Sequence, residues 1–178
     1  MTTTVLEVRD VTVRFGGVVA VNQASLTIKQ GELIGFVGPN GAGKTTLMRV
    51  ITGMVKANEG QVLLMGNELA GMTVNQRIRS GLALAQQIVQ PLRAMTLLQN
   101  VALACGAAKT DSPFTAMASY ERGSENKRAL ELLSQVGLGE VADQEPAKLP
   151  LGYLKRLEVA RAMALKPKLL LLDEPLAG

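Results

Sequence analysis

Histidine is absent from this 178-residue sequence, and Cys105 is its only cysteine. Without histidine, the chain cannot use an imidazole general base, a Ser-His triad or a histidine-ligated metal. A single cysteine excludes an intrachain disulfide and a multi-cysteine zinc site. The chemistry of this protein must therefore come from carboxylates, amides, hydroxyls, lysine and the backbone.

Aromatic residues make up only 3% of the chain, and tryptophan is absent. The hydrophobic fraction is nevertheless 47% against 19% charged, a composition that excludes intrinsic disorder and predicts an aliphatic core. The formal net charge is +4, but the basic residues are scattered, so we expect no nucleic-acid partner. No apolar run approaches the roughly 18 residues of a membrane span, and the N-terminus lacks the pattern of a signal peptide.

Alternating apolar residues predict strands in the first third of the chain. The short apolar segment 32–37 predicts a fully buried strand, and a glycine-rich loop at 38–43 follows it. A helix is predicted from the end of this loop through Thr52, with Gly53 as its stop. A turn at 59–60 and a strand over 61–65 complete this region.

The helical period dominates from Val74 onward. The predicted elements are a short helix ending at Gly81, a strand at 82–85, a helix from Thr96 to about 107, a helix from 121 or 124 to Gly137, a helix over 152–165, and a buried strand at 169–172. Leu130, Leu133 and Val136 are expected on the inward face of the fourth of these, and 109–124 is interpreted as an inserted loop. These elements predict an α/β core with a helical subdomain.

The residues from Gly38 to Thr45 match the phosphate-loop pattern G-x-x-x-x-G-K-[ST]. Glycines at these positions let backbone N–H groups turn toward a polyphosphate, and the following helix directs its positive end at the same anion. Lys44 adds a charge for the β- and γ-phosphates, and the Thr45 hydroxyl can ligate Mg²⁺. The alternative is a simple glycine-rich turn, which the strand-before and helix-after context disfavours.

Two acids, Asp173 and Glu174, follow the four-leucine strand at 169–172. Ligands of α/β sheets bind at the carboxyl ends of strands, where these carboxylates are expected. Asp173 is predicted to hold the Mg²⁺ shell, and Glu174 to orient and deprotonate a water that attacks the γ-phosphorus. Alone, this pair would indicate only an ordinary strand end. The phosphate loop in the same chain is what favours the catalytic interpretation.

The segments GPNGAGKTT and LLLLDEP, together with the helix GYLKRLEVARA at 152–162, resemble the ATP-binding subunits of ABC transporters. The opening RFGG at 14–17 and the insertion at 109–124 are most similar to the branched-chain amino acid importer group. The resemblance implies a P-loop NTPase (ABC-type) α/β core, with an N-terminal antiparallel β subdomain and an inserted α-helical subdomain. The implied division is 1–87, 88–161 and 162–178, and the implied enzyme is an ATP hydrolase coupled to transport.

The resemblance also implies a role for particular residues. Those for ATP are Phe15, Val21, Gly38, Pro39, Asn40, Gly41, Ala42, Gly43, Lys44, Thr45, Thr46 and Gly152; those for Mg²⁺ are Thr45, Gln87 and Asp173; and Glu174 and Gln87 are the catalytic pair. Phe15 would stack on adenine, although it could instead be a core aromatic at a strand end. Gln87 would reach the metal or the attacking water, with its neighbour Gln86 as the competing candidate.

Two departures from the family pattern stand out. The signature loop at 149–153 carries Pro150 where a serine is usual, so one contact to the γ-phosphate of a partner subunit is lost while Gly152 remains. The sequence stops at Gly178, so the strand that would carry a switch histidine is expected to be missing, and turnover by this chain alone is in question.

The partners that the resemblance implies are a second ABC ATPase subunit, transmembrane permease subunits and, indirectly, an extracytoplasmic solute-binding protein. The implied location is the cytoplasmic face of the membrane, on its periphery. Two alternatives are a nucleotide-binding fragment without turnover and a soluble ABC ATPase that takes no part in transport.

Overall fold

The structure is a computed structural model that describes residues 3–85, 91–106 and 123–173. Its strands are β1 (Thr4–Phe15), β2 (Val18–Lys29), β3 (Glu59–Leu64), β4 (Asn67–Glu68), β5 (Leu82–Ala85) and β6 (Leu169–Leu172). Its α-helices are α1 (Lys44–Thr52), α2 (Val74–Arg79), α3 (Leu97–Gly106), α4 (Gly123–Gln135) and α5 (Leu151–Ala164). Short 3₁₀ turns lie at Gly139–Val141 and Pro146–Lys148. The chain forms two compact units, residues 1–82 and 83–178.

The first unit is built on an antiparallel sheet with the strand order β2-β1-β3-β4. The central strand β1 places Leu6 opposite Ile28 on one side and Leu64 on the other, and all three side chains are buried. Strand pairing therefore follows the alternation seen in the sequence, since successive residues point to opposite faces of a sheet.

Helix α1 confirms the helix predicted after the glycine-rich loop. It buries Leu47, Met48, Val50 and Ile51 and ends at Gly53, whose left-handed φ of 85° terminates the helix as its C-cap. A glycine tolerates this conformation without the steric penalty that a Cβ would bring.

The buried strand predicted at 32–37 is wrong. This segment has no strand assignment, and Leu33 and Val37 are 96% and 98% exposed. A strand can be buried only when its backbone N–H and C=O groups are paired. In the described parts of the chain no strand pairs with this segment, and the four-leucine strand pairs with β5 instead. The apolar side chains consequently stay in solvent with their backbone.

The second unit combines the β5–β6 pair with the three longer helices α3, α4 and α5. The centre of the helical cluster is fully buried and aliphatic, formed by Leu97, Val101, Ala129, Leu132, Leu133, Leu138, Leu157 and Ala160. The predicted strands at 82–85 and 169–172 are confirmed. Burial of β6 alternates, however, with Leu169 and Leu171 inside and Leu172 37% exposed, so the strand is only half buried.

Helix α4 turns Leu133 inward as predicted, and Val136 just beyond it packs on the same cluster, but Leu130 lies outside the buried face. Ala129, Leu132 and Leu133 are buried, whereas Leu130 is 46% exposed. At about 100° per residue, Leu130 lies about 60° beyond the edge of the buried stripe. The small side chain of Ala129 was the missed member of that stripe.

No helix within the described residues is long and apolar enough to cross a membrane. The boundary between the two compact units falls after Leu82. The three-part division at 87 and 161 stays a prediction, as does the inserted loop, because 109–122 lie outside the described residues.

Candidate functional site

The loop at 38–43 bends through two left-handed glycines before α1 begins. Gly41 has φ of 83° and Gly43 has φ of 82°, a region that residues with a Cβ rarely adopt. The Ala42 N–H donates to the Pro39 carbonyl at 3.2 Å and closes a turn in the middle of the loop. Gly43 is the N-cap of α1, so the loop runs directly into the helix.

Gly43 lies against strand β2 with no room for a side chain. A Cβ placed there would overlap the Ala20 carbonyl oxygen and come within 3.1 Å of Val21 Cγ2. At Gly41, by contrast, an added Cβ would meet no described atom within 4 Å. The loop is therefore anchored at Gly43 and open at Gly41, and buried Val21 is part of its floor.

The first turn of α1 presents unpaired backbone donors. The first intrahelical bond runs from the Leu47 N–H to the Gly43 carbonyl at 2.8 Å, and the amides before it have no partner inside a helix. Gly43 has no side chain to cap them, and the first turn contains no acid. These N–H groups and the positive end of the helix dipole together fit an anion.

The side chain of Lys44 folds back over this loop. Its Nζ donates to the carbonyls of Gly38 at 2.6 Å and Pro39 at 2.8 Å. The ammonium group therefore lies at the beginning of the loop, where it adds a full positive charge. Thr45 and Thr46 follow in the first turn and are half-buried.

The donor set also suits a magnesium ion held together with phosphate. The described residues contain no cluster of three His, Cys, Asp or Glu side chains that could bind a metal alone. Mg²⁺ in nucleotide sites usually keeps several waters and takes one or two carboxylates plus phosphate oxygens. The Thr45 hydroxyl suits one ligand position in such a set, and Asp173 as the carboxylate ligand stays a prediction.

Phe15 lies in solvent at the end of β1, so its interpretation as a core aromatic is wrong. It is 52% exposed and pairs with Val18, which is 67% exposed. Val18 precedes Ala20 by two residues, about 7 Å along the strand. Because Ala20 touches the base of the loop, an open aromatic ring lies within the reach of a nucleotide, and its stacking role stays a prediction.

Asp173 and Gly152 belong to the second unit. Asp173 follows β6 directly, is half-buried and donates its N–H to the Ala85 carbonyl at 3.2 Å. Gly152 is the second residue of α5 and is exposed. Their roles toward the phosphate loop stay predictions. Gln86, Gln87 and Glu174 lie outside the described residues, so their roles also stay predictions.

Arg77 is a structural partner of the phosphate-loop helix that the sequence did not reveal. Its side chain is 9% exposed, and its guanidinium donates to the carbonyls of Val50 at 2.8 Å, Ile51 at 2.9 Å, Leu69 at 2.8 Å and Met72 at 3.3 Å. Burial lowers the pKa of Arg77, which nevertheless stays a cation at neutral pH. A cation at the C-terminal end of α1 complements the helix dipole. No local pattern marks this arginine in the sequence, because its partners are backbone atoms of other elements.

The fold and the phosphate loop define a nucleotide-binding domain of the P-loop class. The sequence profile of the family described as "ABC transporter" matches residues 21–177. The chain therefore belongs to the ABC transporter family, which confirms the resemblance found in the motifs and the predicted fold class. This family membership also confirms the expectation of an ATP-hydrolysing enzyme.

Individual relatives agree with this assignment. The high-affinity branched-chain amino acid transport ATP-binding protein LivG of Escherichia coli is 36% identical over 183 residues, which cover 100% of this chain and 72% of that protein. The methionine import ATP-binding protein MetN of Rhizobium johnstonii is 38% identical over 96% of this chain and 45% of its own length.

The fold also agrees with solved structures. The dimeric structure of a post-hydrolysis state of an ATP-binding cassette bound to ADP and Pi has a TM-score of 0.79 and 26% identity. The alignment covers 96% of this chain and 74% of that one.

Proposed function

We propose that this chain is the ATP-binding subunit of an importer that moves a small solute, such as a branched-chain amino acid, across a membrane. LivG is named for branched-chain amino acid transport and matches the whole chain, which supports this solute class. MetN is named for methionine import at similar identity, so amino-acid transport is common to the two names.

The observation that carries the proposal is the phosphate loop, which packs against β2 at Gly43 and runs directly into the uncapped start of α1. The side chain of Lys44 folds back over the loop and adds a positive charge there. Such an arrangement binds a polyphosphate through backbone donors, a helix dipole and one ammonium group. Phe15 would bind the adenine face, and Val21 would lie beneath the ribose.

Hydrolysis would divide among the remaining predicted residues. Bound Mg²⁺ supplies neutralisation of charge on the β- and γ-phosphates. Thr45 and Asp173 would hold it, and Gln87 would orient the attacking water. Glu174 would accept a proton from that water as its oxygen bonds to the γ-phosphorus, while the bond to the bridging oxygen breaks and ADP leaves.

The active assembly would contain two ATPase subunits, with Gly152 of each capping the nucleotide of the other. The dimeric solved relative with ADP and Pi supports a two-subunit assembly. We further propose that the pair docks on transmembrane permease subunits at the cytoplasmic face of the membrane. An extracytoplasmic solute-binding protein would act on the permease and not on this chain.

A second function, nucleotide binding without turnover, is favoured by the exposed segment 32–37. Within the described strands, none pairs with the residues just before the phosphate loop, whereas the end of the loop packs against β2 at Gly43 and runs into α1. Catalysis depends on geometry held to within about 0.5 Å, which binding alone does not require.

Two measurements on the purified chain test these proposals. Binding of a fluorescent ATP analogue with Mg²⁺ should be saturable in the parent and weakened about 100-fold in Lys44→Ala, which removes the charged donor. Phosphate release should be measured in the parent beside Glu174→Gln. Release that Glu174→Gln abolishes supports the enzyme, whereas binding with no release supports the second function. Absence of binding by the parent would contradict both.

A further inference from the structure

The first turn of α5 is poorly stabilised by its own residues. Its N-cap is Pro150, which offers no hydroxyl to accept an amide hydrogen bond, and Gly152 costs about 0.5–1 kcal/mol in a helix relative to alanine. Leu151 is 57% exposed and so contributes little packing. Within the described residues, a Cβ added at Gly152 would meet no atom within 4 Å. Something other than capping must hold this turn.

Arg156 lies one turn further along the helix and contacts three backbone carbonyls. Its Nε is 3.4 Å from the Gly152 oxygen, and its Nη1 is 3.5 Å from the Val136 oxygen and 3.3 Å from the Gly137 oxygen. The latter two carbonyls follow the last turn of α4, where the negative end of that helix dipole favours a cation. One guanidinium therefore joins the end of α4 to the carbonyl of Gly152.

Tyr153 completes the arrangement from the other side. The Arg156 Cζ lies 4.4 Å from the centre of the Tyr153 ring, a cation–π distance. Tyr153 also packs against the buried helical cluster of the second unit. The residue next to Gly152 is thus held by the core and by Arg156 together, and the close approach of Arg156 Nη1 to Gly137 leaves only 3.1 Å for a Cβ there.

We propose that Arg156, with the ring of Tyr153, is a positioning residue that fixes the first turn of α5 and so aims Gly152 at the nucleotide of a second copy of this chain. The inference rests on the proposed function, because it requires Gly152 to cap a partner's ATP. The Arg156–Tyr153 pair thus holds the first turn of α5 in place, as a capping serine at position 150 would otherwise do.

The test separates nucleotide binding from dimer formation. In a Glu174→Gln background, which prevents turnover, dimerisation in Mg-ATP is measured by sedimentation, and affinity for a fluorescent ATP analogue is measured below the dimerisation concentration. Arg156→Lys keeps the charge but loses the planar fork, and should weaken dimerisation about 10-fold with affinity for the analogue changed less than about twofold. Arg128→Lys, on the exposed side of α4, is the matched control and should change neither.

A second pair of variants keeps the proposal testable if Arg156→Lys fails to fold. Tyr153→Phe retains the ring and should dimerise within about twofold of the parent, whereas Tyr153→Leu should lose about fivefold. Equal dimerisation in all variants would overturn the proposal, and so would equal losses of monomer affinity and dimerisation. A parent that binds the analogue but forms no dimer also overturns it, while a parent that binds no analogue contradicts the proposed function itself.

Discussion

Four helices, α1, α2, α3 and α5, have starts that lie wholly within the described residues, and these starts are of two kinds. Helices α2 and α3 start with reciprocal capping boxes: the Gln76 N–H donates to Thr73 Oγ1 and the Gln99 N–H to Thr96 Oγ1, while each glutamine oxygen accepts from the threonine N–H. Helices α1 and α5 start at Gly43 and Pro150, which have no side-chain acceptor to offer.

This difference shows which helix starts leave their backbone N–H groups without a side-chain acceptor. A capping box satisfies amides that would otherwise lack a partner, and it typically contributes about 1 kcal/mol. Of these four described starts, the two without a box carry residues predicted to contact nucleotide, Lys44 and Gly152. In α1 the ammonium group of Lys44 is held by carbonyls of the preceding loop, and in α5 the carbonyl of Gly152 in the first turn is contacted by Arg156.

The largest expected effect on stability comes from adding a side chain at Gly43, the N-cap of α1. Gly43→Ala should destabilise the fold by at least about 3 kcal/mol, because the new Cβ overlaps the Ala20 carbonyl and the left-handed φ is strained. Gly41→Ala has the same φ but open space around it, so it should cost only about 1–2 kcal/mol. Urea unfolding measures both, and equal losses would show that the contact with β2 is not what fixes the loop.

The other end of α1 gives the next largest effect. Arg77→Ala leaves four carbonyls without their buried donor, and we expect a loss of about 3 kcal/mol in the free energy of unfolding. Arg49→Ala, an exposed basic residue in the last turn of the same helix, is the control and should cost less than about 1 kcal/mol. Thermal unfolding of the two variants compares them directly, and a mild effect at Arg77 would mean that water replaces the guanidinium.

Local patterns predicted much of what the structure shows. Features that depend on residues close in sequence were predicted from local patterns alone. They are the phosphate loop, the helix that ends at Gly53, the capping box at Thr96 and the strand at 169–172. The segment 32–37 was misjudged because burial of a strand depends on a neighbour that the local sequence does not supply. Arg77 was missed for a related reason, since its four partners are backbone carbonyls of α1 and of the connection between β4 and α2.

Removing the cap of α3 should lower the stability of the fold without changing its affinity for nucleotide. Thr96→Ala should cost about 1 kcal/mol of unfolding free energy, because the Gln99 N–H at the start of α3 loses its acceptor. Affinity for the fluorescent ATP analogue should stay within twofold of the parent, since this start carries no predicted ligand contact. Thr96→Ser preserves the acceptor and serves as the control. A clear change in affinity for the analogue would remove the distinction between capped and open starts.

The smallest expected effect on stability comes from giving α5 an N-cap. This variant also tests most directly whether the uncapped start serves ligand contact. Pro150→Ser supplies a hydroxyl and an N–H, and should raise the free energy of unfolding by no more than about 1 kcal/mol. If the uncapped start of α5 serves contact with the ATP of a partner subunit, Pro150→Ser should also strengthen ATP-dependent dimerisation. The reason is that the new hydroxyl can reach the partner's γ-phosphate. Pro150→Ala adds the N–H without the hydroxyl and separates the two contributions. Stability gained with no gain in dimerisation would mean that the serine acts only as a helix cap, and that Gly152 already makes every contact this turn offers.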